Sequence, residues 1–310
     1  MIYKLDEKKI KEVVESGSTA LFRYCFEHKK HFLVTGISGG LDSAVTLGFA
    51  QKSCELAKNK KYQLTSLGLI MPCLSDPNAE KLARQAIKNF SADELYVPLD
   101  SVFETINNTV ISTINIKIES ILDKVKTENP LNNFEWSKKV AQGNIKARLR
   151  MMCGTYHIAR MLDGIVLSTD NLSEFWMGFW TLNGDVGDFG VIQSILKGVE
   201  LYDIAQYLGV PSDILKAKPD DGLGIAGGDE DQLGANYETV DKVMIELIQK
   251  GFNPNGHTEQ LNNLPSVTGV PKELVLKLAK RSLNSSYKRR GCVVVKRDEL
   301  GLAPIKEIKL

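Results

Sequence analysis

The sequence predicts an α/β fold: a doubly wound, Rossmann-like parallel sheet with helices on both faces. Three observations carry that expectation. Short apolar runs alternate with longer amphipathic stretches over the first 180 or so residues. The hexapeptide Ser38-Gly39-Gly40-Leu41-Asp42-Ser43 lies where one such run hands over to a helix. A second polar motif, beginning at Ser168, lies at the same kind of junction. Strands separated by helix-length segments cannot close as hairpins and pair in parallel instead. In such sheets ligands sit at the carboxyl ends of the strands, where the winding direction switches.

Taken in order, residues 6–29 place Ile10, Val13, Val14, Ala20, Leu21 and Tyr24 near helical spacing, with Glu and Lys between them, and read as an amphipathic helix. Residues 31–37 form an apolar strand, followed by the glycine-rich loop and a helix entered at 44–50. The alternation repeats as a strand at 64–71, a helix at 78–90, a strand at 95–99 and a helical stretch to about 126. After a polar break at 127–133, one long helical pattern runs to 161, then a strand at 164–168 and a helix at 172–181. Residues 219–234 turn rich in Gly and Asp and read as a surface loop. We expect one domain over 1–310, opened by an N-terminal helix (1–29) and closed by a C-terminal extension (291–310).

Composition removes several function classes. At 310 residues, 43% hydrophobic and 25% charged, the chain is ordinary globular material. A formal charge of +1 gives no overall field for nucleic acid or a membrane surface, so neither is an expected partner and any phosphate binding must be local. Cys25, Cys54, Cys73, Cys153 and Cys292 are odd in number and never spaced as C-x-x-C, which fits reduced, buried thiols rather than disulfides or a zinc site. No signal-like or membrane-length apolar run is present, so a cytoplasmic location is the expectation.

Five segments carry chemistry. In the first, Gly39 and Gly40 let phosphate oxygens approach the backbone, and the amides entering the helix face one anion. No Lys follows the glycines, so this is not the common NTPase loop. Asp42 would repel phosphate unless a divalent cation stood between them, which implies magnesium. The bland alternative makes Asp42 and Ser43 helix caps.

In the second segment, Thr169 offers a hydroxyl to a nucleotide and Glu174 a second magnesium ligand, although capping explains Thr169 and Asp170 equally well. The third is the turn Gly184-Asp185-Val186-Gly187-Asp188, followed by Lys197, which can supply the phosphate charge missing from the first loop. In the fourth, Asn144 and Arg148 share a helical face while Arg150 points elsewhere, so that one arginine can face a ligand and the other a carboxylate of the protein. The fifth, Tyr287-Lys288-Arg289-Arg290, is a basic cluster that alone reads as charged surface.

In this order and spacing, from about residue 30 to 290, the segments resemble the ammonia-dependent NAD synthetases, members of the ATP-pyrophosphatase group marked by S-G-G-x-D-S. The helix at 144–151, the T-D-x-x-x-E strand end, the glycine–aspartate turn and the segment from Asp229 to Gly234 followed by Tyr237 distinguish them from other bearers of the loop. The resemblance implies an adenine nucleotide alpha-hydrolase-like sheet. It implies magnesium on Asp42 and Glu174, and ATP on Gly36, Ile37, Ser38, Gly39, Gly40, Leu41, Asp42, Ser43, Thr169, Lys197 and Asp220. Deamido-NAD would meet Arg148, Leu182, Asp188, Tyr287 and Lys288. Three of these positions depart from the family pattern: Leu182 replaces a Lys, Asp220 a Thr and Tyr287 a His. These changes remove a cation and add an anion beside two polyanionic ligands.

The reaction implied is amidation of the nicotinate carboxylate. The carboxylate attacks the α-phosphate of ATP, pyrophosphate leaves, and ammonia displaces AMP from the mixed anhydride. Asp42, Glu174, Asp188 and Lys197 are the catalytic candidates, with Asp188 placed to take a proton from ammonium. The resemblance also implies a homodimer. Rival readings are the same reaction on nicotinate mononucleotide, sulfur transfer to tRNA, for which paired cysteines and a basic surface are missing, and a nucleotide sensor without catalysis.

Overall fold

Parallel pairing organises the chain. The computed structural model describes residues 4–122, 134–184, 186–220, 222–225, 227–291, 295 and 299–300. Four strands, β1 (Phe32–Gly36), β2 (Thr65–Ile70), β3 (Asp93–Tyr96) and β4 (Ile165–Val166), form one sheet in the order β3-β2-β1-β4. Every pairing is parallel, with Val34 opposite Leu67 on one side and Val166 on the other. The chain therefore winds outward from β1 to β3, then crosses back to place β4 on the far side of β1. The switch point lies between β1 and β4, and the loops leaving their carboxyl ends flank the crevice that open α/β sheets use for ligands.

Successive strand residues face opposite sides of the sheet, so β1 feeds two cores. Leu33 packs with Leu21 and Cys25 of α1 (Glu7–Glu27) and with Ala50 and Ala57 of α2 (Leu41–Asn59). Val34 packs on the opposite face with Leu67, Leu69, Phe103 of α4 (Asp100–Leu122), Leu149 of α5 (Phe134–Leu149) and Ala159 of α6 (Tyr156–Met161). Nearly every residue from Ser43 to Ala50 is buried, because α2 is wedged between the sheet and α1 and α8 (Tyr202–Leu208). At Gly68 a Cβ would lie 2.7 Å from Ile87 of α3 (Pro77–Asn89), which fixes how closely that helix sits on β2. After the short helix α9 (Ser212–Lys216), a third core joins Met177 of α7 (Leu172–Met177) and Leu233 of α10 (Asp229–Leu233) to Val240, Val243 and Leu247 of α11 (Tyr237–Gln249) and to Leu278 and Leu283 of α12 (Lys272–Asn284).

Several boundaries differ from the sequence reading, each for a local reason. The third strand starts at Asp93, not Leu95, because it is an exposed edge where polar residues are tolerated. Pairing continues beyond it through Val97 and Leu99, which donate to Ile70 and Pro72 carbonyls at 2.9 and 2.8 Å. The helical pattern expected to run unbroken to 161 is interrupted by a π-helical turn, Arg150–Thr155, where Gly154 presses on Met71 so closely that a Cβ would stand 1.9 Å from its sulfur. The helix at 172 stops at Met177 rather than 181, since Gly178 takes a left-handed φ of 60° and closes it.

The polar break at 127–133, Asp185, Cys292 and nearly all of the C-terminal extension lie outside the described residues. Cys25, Cys54, Cys73 and Cys153 are free thiols, and burial pushes Cys25 and Cys54 up to about 12, which makes them inert. Among the described residues no helix is long and apolar enough to cross a membrane.

Candidate active site

The loop after β1 is shaped by what glycine alone permits. Gly39 has φ 87°, and a Cβ there would lie 2.2 Å from the Ala79 carbonyl oxygen. Gly40 is the N-cap of α2 and offers no side chain, so the first-turn amides keep their donors for something outside the helix. Ser43 Oγ donates to the Gly40 carbonyl at 3.0 Å and lies 3.2 Å from Ser38 Oγ, which itself accepts from Gly40 N–H at 3.2 Å. The loop is thus closed on itself by its two serines, whose hydroxyls also accept from the Ser38 and Gly40 amides.

The loop after β4 is joined to it by one side chain. Asn171 caps α7 in a capping box: its Oδ1 accepts from Glu174 N at 3.0 Å, and Glu174 Oε2 accepts from Asn171 N at 3.4 Å. The amide nitrogen of Asn171 then donates to Asp42 Oδ1 at 2.8 Å. The cap is therefore Asn171 rather than Thr169 or Asp170, and it ties the two carboxylates singled out in the sequence to one framework.

Those carboxylates converge on a single cation. Lys197 Nζ lies 2.8 Å from Asp42 Oδ2, 3.0 Å from Glu174 Oε1 and 3.6 Å from Asp229 Oδ2. Tyr237 roofs the cluster, its hydroxyl 3.2 Å from Glu174 Oε1 and 3.1 Å from Asp229 Oδ2, its ring centroid 4.4 Å from the ammonium. Lys197 and Tyr237 are each only 3% exposed. Residues up to 195 positions apart in the sequence, Asp42 to Tyr237, thus meet at the switch point.

Charge is out of balance there. Burial raises the Glu174 carboxyl well above the usual range, and the carboxylates of Asp42, Asp170 and Asp229 raise it further, against the pull of Lys197. Lys197 is itself raised: burial opposes its charge, but Asp42 and Glu174 overcome that. A single ammonium lies within reach of three carboxylates, so the lysine holds its proton firmly, while burial and the neighbouring carboxylates together raise Glu174.

The donors are hard oxygens with surplus negative charge, the chemistry that magnesium takes. Among the described residues no group of three or more His, Cys, Asp or Glu could hold a metal ion. Asp42 and Glu174 are two acceptors of that kind, here held by Lys197.

A cleft of about 890 Å³ opens from this cluster. It is lined by Gly36 to Ser43, Thr169, Glu174, Lys197, Asp220 and Lys288, so all the residues expected to hold ATP and metal share one space. Asp220 Oδ1 accepts from Gly222 N at 2.7 Å and shapes the rim. Lys288 Nζ donates to the Gly178 and Trp180 carbonyls at 2.7 and 2.5 Å, and burial lowers its pKa to about 8.

Other expected contacts lie apart from the cluster. Arg148 donates to the Leu182 carbonyl at 3.3 and 3.1 Å, so two residues assigned to deamido-NAD touch each other. Asp188 is gripped by Arg160 at 2.9 and 3.1 Å and accepts from Val166 N at 2.9 Å. Tyr287 is 58% exposed. The expectation that one arginine faces a ligand and the other a carboxylate takes a different form: Arg150 lines the cleft and donates to the Met71 carbonyl and Ser75 Oγ, each at 3.2 Å. Asn171 was given no role from sequence, and Asp229 and Tyr237 only marked the family resemblance without a part in the site. Only Asn171 carried a local signal, the N-x-x-E spacing of a capping box.

Comparisons with known proteins place the chain in a family. The family model described as NAD synthase matches residues 13–292. An NH(3)-dependent NAD(+) synthetase of Pyrococcus furiosus is 32% identical over 292 residues, covering 94% of this chain and 98% of the relative. That of Thermoplasma volcanium is 34% identical over 220 residues, 70% of this chain and 77% of the relative. Among solved structures, an NMN synthetase from Francisella tularensis superposes with TM-score 0.65 at 23% identity over 92% of this chain and 98% of that one, a likeness of fold.

Proposed function

Because the chain belongs to the NAD synthase family, we propose that it joins ammonia to the nicotinate carboxylate of deamido-NAD at the expense of ATP, releasing AMP and pyrophosphate. The observation that carries this reading is the meeting of Asp42, Glu174 and Lys197 at the switch point, beside a helix start whose first-turn amides have no side-chain cap. A space of about 890 Å³ lies toward the top of the range of small-molecule sites, roughly 300–1,000 Å³, and suits nucleotides rather than a small acid.

The residues divide the work. First-turn amides of α2 and the hydroxyls of Ser38 and Ser43 bind and orient the phosphate chain, with Thr169 and Asp220 on the same wall. Asp42 and Glu174 would hold magnesium, which supplies charge neutralisation at the phosphates when bound. Lys197, held charged between them, offsets the negative charge that develops on pyrophosphate as the carboxylate attacks the α-phosphorus. Asn171 and Tyr237 hold the two carboxylates in place, so little reorganisation is needed as the reaction proceeds.

Arg148 and Lys288 remain our candidates for the substrate dinucleotide, and Asp188 for proton acceptance from ammonium. Arg148 is bonded to the Leu182 carbonyl and Asp188 to Arg160, which orients both side chains. On the family resemblance we take the working unit to be a homodimer, which analytical ultracentrifugation checks.

A competition assay tests the reading. With ATP, magnesium and ammonium, equimolar deamido-NAD and nicotinate mononucleotide should yield predominantly NAD. Predominant formation of nicotinamide mononucleotide would overturn the choice of substrate. No pyrophosphate from either would overturn the enzyme itself.

A further inference from the structure

The main chain of Lys197 is anchored from outside its own turn. The π-helical turn Lys197–Leu201 follows Leu196, whose side chain caps nothing. Unsatisfied amides at the start of a helical turn need acceptors. Three side-chain oxygens meet that need in succession: Glu200 Oε2 takes Leu196 N–H at 2.9 Å, Ser173 Oγ takes Lys197 N–H at 2.9 Å, and Asp241 Oδ2 takes Gly198 N–H at 2.8 Å.

Two of the three come from distant elements. Ser173 belongs to α7, beside Glu174. Asp241 belongs to α11, one turn beyond Tyr237 on the same helical face. This face therefore meets the lysine twice. The Tyr237 ring faces the ammonium, while Asp241 holds the amide of the next residue. The backbones are pressed together as well, for a Cβ at Gly198 would lie 2.4 Å from both Glu238 N and Tyr237 C.

Asp241 is fully buried, at 0% exposure. A carboxylate is an expensive residue to bury, and an apolar side chain would fill the space without that cost. Its negative charge instead faces the amide end of the turn, where the peptide dipoles favour it. Burial pushes the carboxyl up to about 7, against the hydroxyl of Ser173 and the amide of Gly198.

We propose that Asp241 is a positioning residue for the catalytic lysine: through Gly198 N–H, and with Ser173 on the preceding amide, it sets the main chain so that Lys197 Nζ falls between Asp42 and Glu174. The assignment of Lys197 to pyrophosphate departure rests on the functional reading above. The anchoring itself does not depend on it.

The test follows the reactivity of the Lys197 amine. Whole protein is pulsed with acetic anhydride, and acetylation of Lys197 relative to exposed Lys52 is read by mass spectrometry, without nucleotide. Asp241→Leu and Ser173→Ala should raise that ratio by about tenfold or more, the scale expected for a lost buried hydrogen bond. Asp241→Asn keeps an acceptor for Gly198 and should stay near wild type. Leu278→Ala, a core deletion in α12, provides a variant weakened without touching the anchor. In turnover, Asp241→Leu should lower kcat by about tenfold or more with KM for deamido-NAD within about twofold. If Asp241→Leu does not fold, Ser173→Ala and Asp241→Asn decide. Labelling in the anchor variants no higher than in Leu278→Ala would overturn the proposal. Because labelling needs no turnover, a wild-type chain that formed no NAD would refute the functional reading while leaving this outcome to stand alone.

Discussion

Replacing Lys197 by Met keeps the length of the buried stem and deletes only the charge, so it probes the cluster on two readouts. The ammonium is 2.8 Å from Asp42, 3.0 Å from Glu174 and 3.6 Å from Asp229, and its loss leaves three carboxylates without their shared cation. Breaking a buried ion pair from one side typically costs about 3–5 kcal/mol. Proton uptake caps the cost, since neutralising an ordinary carboxylate at pH 7.5 takes about 4 kcal/mol. Glu174, already raised by burial, takes the first proton most easily.

The sign with pH follows. In the variant the folded-state carboxyl pKa values lie above their unfolded values, so their contribution is intact below about pH 4 and is lost as pH rises through the folded values. Lys197→Met should therefore be destabilised by about 2–4 kcal/mol at pH 7.5 and by clearly less at pH 5.5, in urea unfolding without nucleotide. Turnover, measured as NAD formed through an alcohol dehydrogenase couple, should fall by about 10²–10³, the usual loss when a group that stabilises transition-state charge is removed. Turnover within fivefold of wild type, or a stability loss independent of pH, would refute the reasoning.

Four other outcomes are expected. Asp42→Asn should lower magnesium-dependent turnover by about a hundredfold or more while shifting unfolding by no more than about 2 kcal/mol, because the amide oxygen still accepts from one of its two donors, Asn171 or Lys197. Gly39→Ala must force a Cβ to 2.2 Å from the Ala79 carbonyl at φ 87°, so a loss of at least about 1–2 kcal/mol and of the thermal shift produced by ATP should appear together in calorimetry. Tyr237→Phe removes the hydroxyl bonded to Glu174 and Asp229, and should cost about 1–3 kcal/mol in denaturant melts with a several-fold drop in kcat. Asp241, raised from 3.8 to about 7, contributes stability that is complete below its unfolded value and lost as pH climbs toward 7. Its limiting slope is about 1.4 kcal/mol per pH unit, and Asp241→Asn should flatten the stability curve between pH 4 and 7.

Much of this architecture was legible because it is written locally. The apolar run at 31–37, the two glycines and the helix beyond them announce a strand–loop–helix junction, and the structure places β1, Gly39 and α2 there. Asp42, Glu174 and Lys197 were singled out from three motifs, and they come together at one ammonium. Helix interruptions were less legible. The π-helical turn at Arg150–Thr155 arises from the close approach of Gly154 to Met71, a contact between residues far apart in the chain.

The same holds for the supporting residues of the site. Tyr237, Asp229 and Asp241 bind partners 8 to 63 positions away, and no periodicity or spacing reports such pairs. Asp188 is a further case. Its carboxylate bonds to Arg160 and the β4 amide, beside a close approach in which a Cβ at Gly187 would lie 2.4 Å from Ser168 N, and the glycine–aspartate turn announced neither partner.

The central claim is that the substrate carboxylate attacks the α-phosphorus of ATP, and one isotope experiment addresses it directly. Deamido-NAD labelled with ¹⁸O in its nicotinate carboxylate is turned over with ATP, magnesium and ammonium, and the phosphorus products are examined by mass spectrometry. One label atom should appear in AMP for each NAD formed, with none in pyrophosphate. Label in inorganic phosphate accompanied by ADP, or NAD formed with unlabelled AMP, would contradict the account.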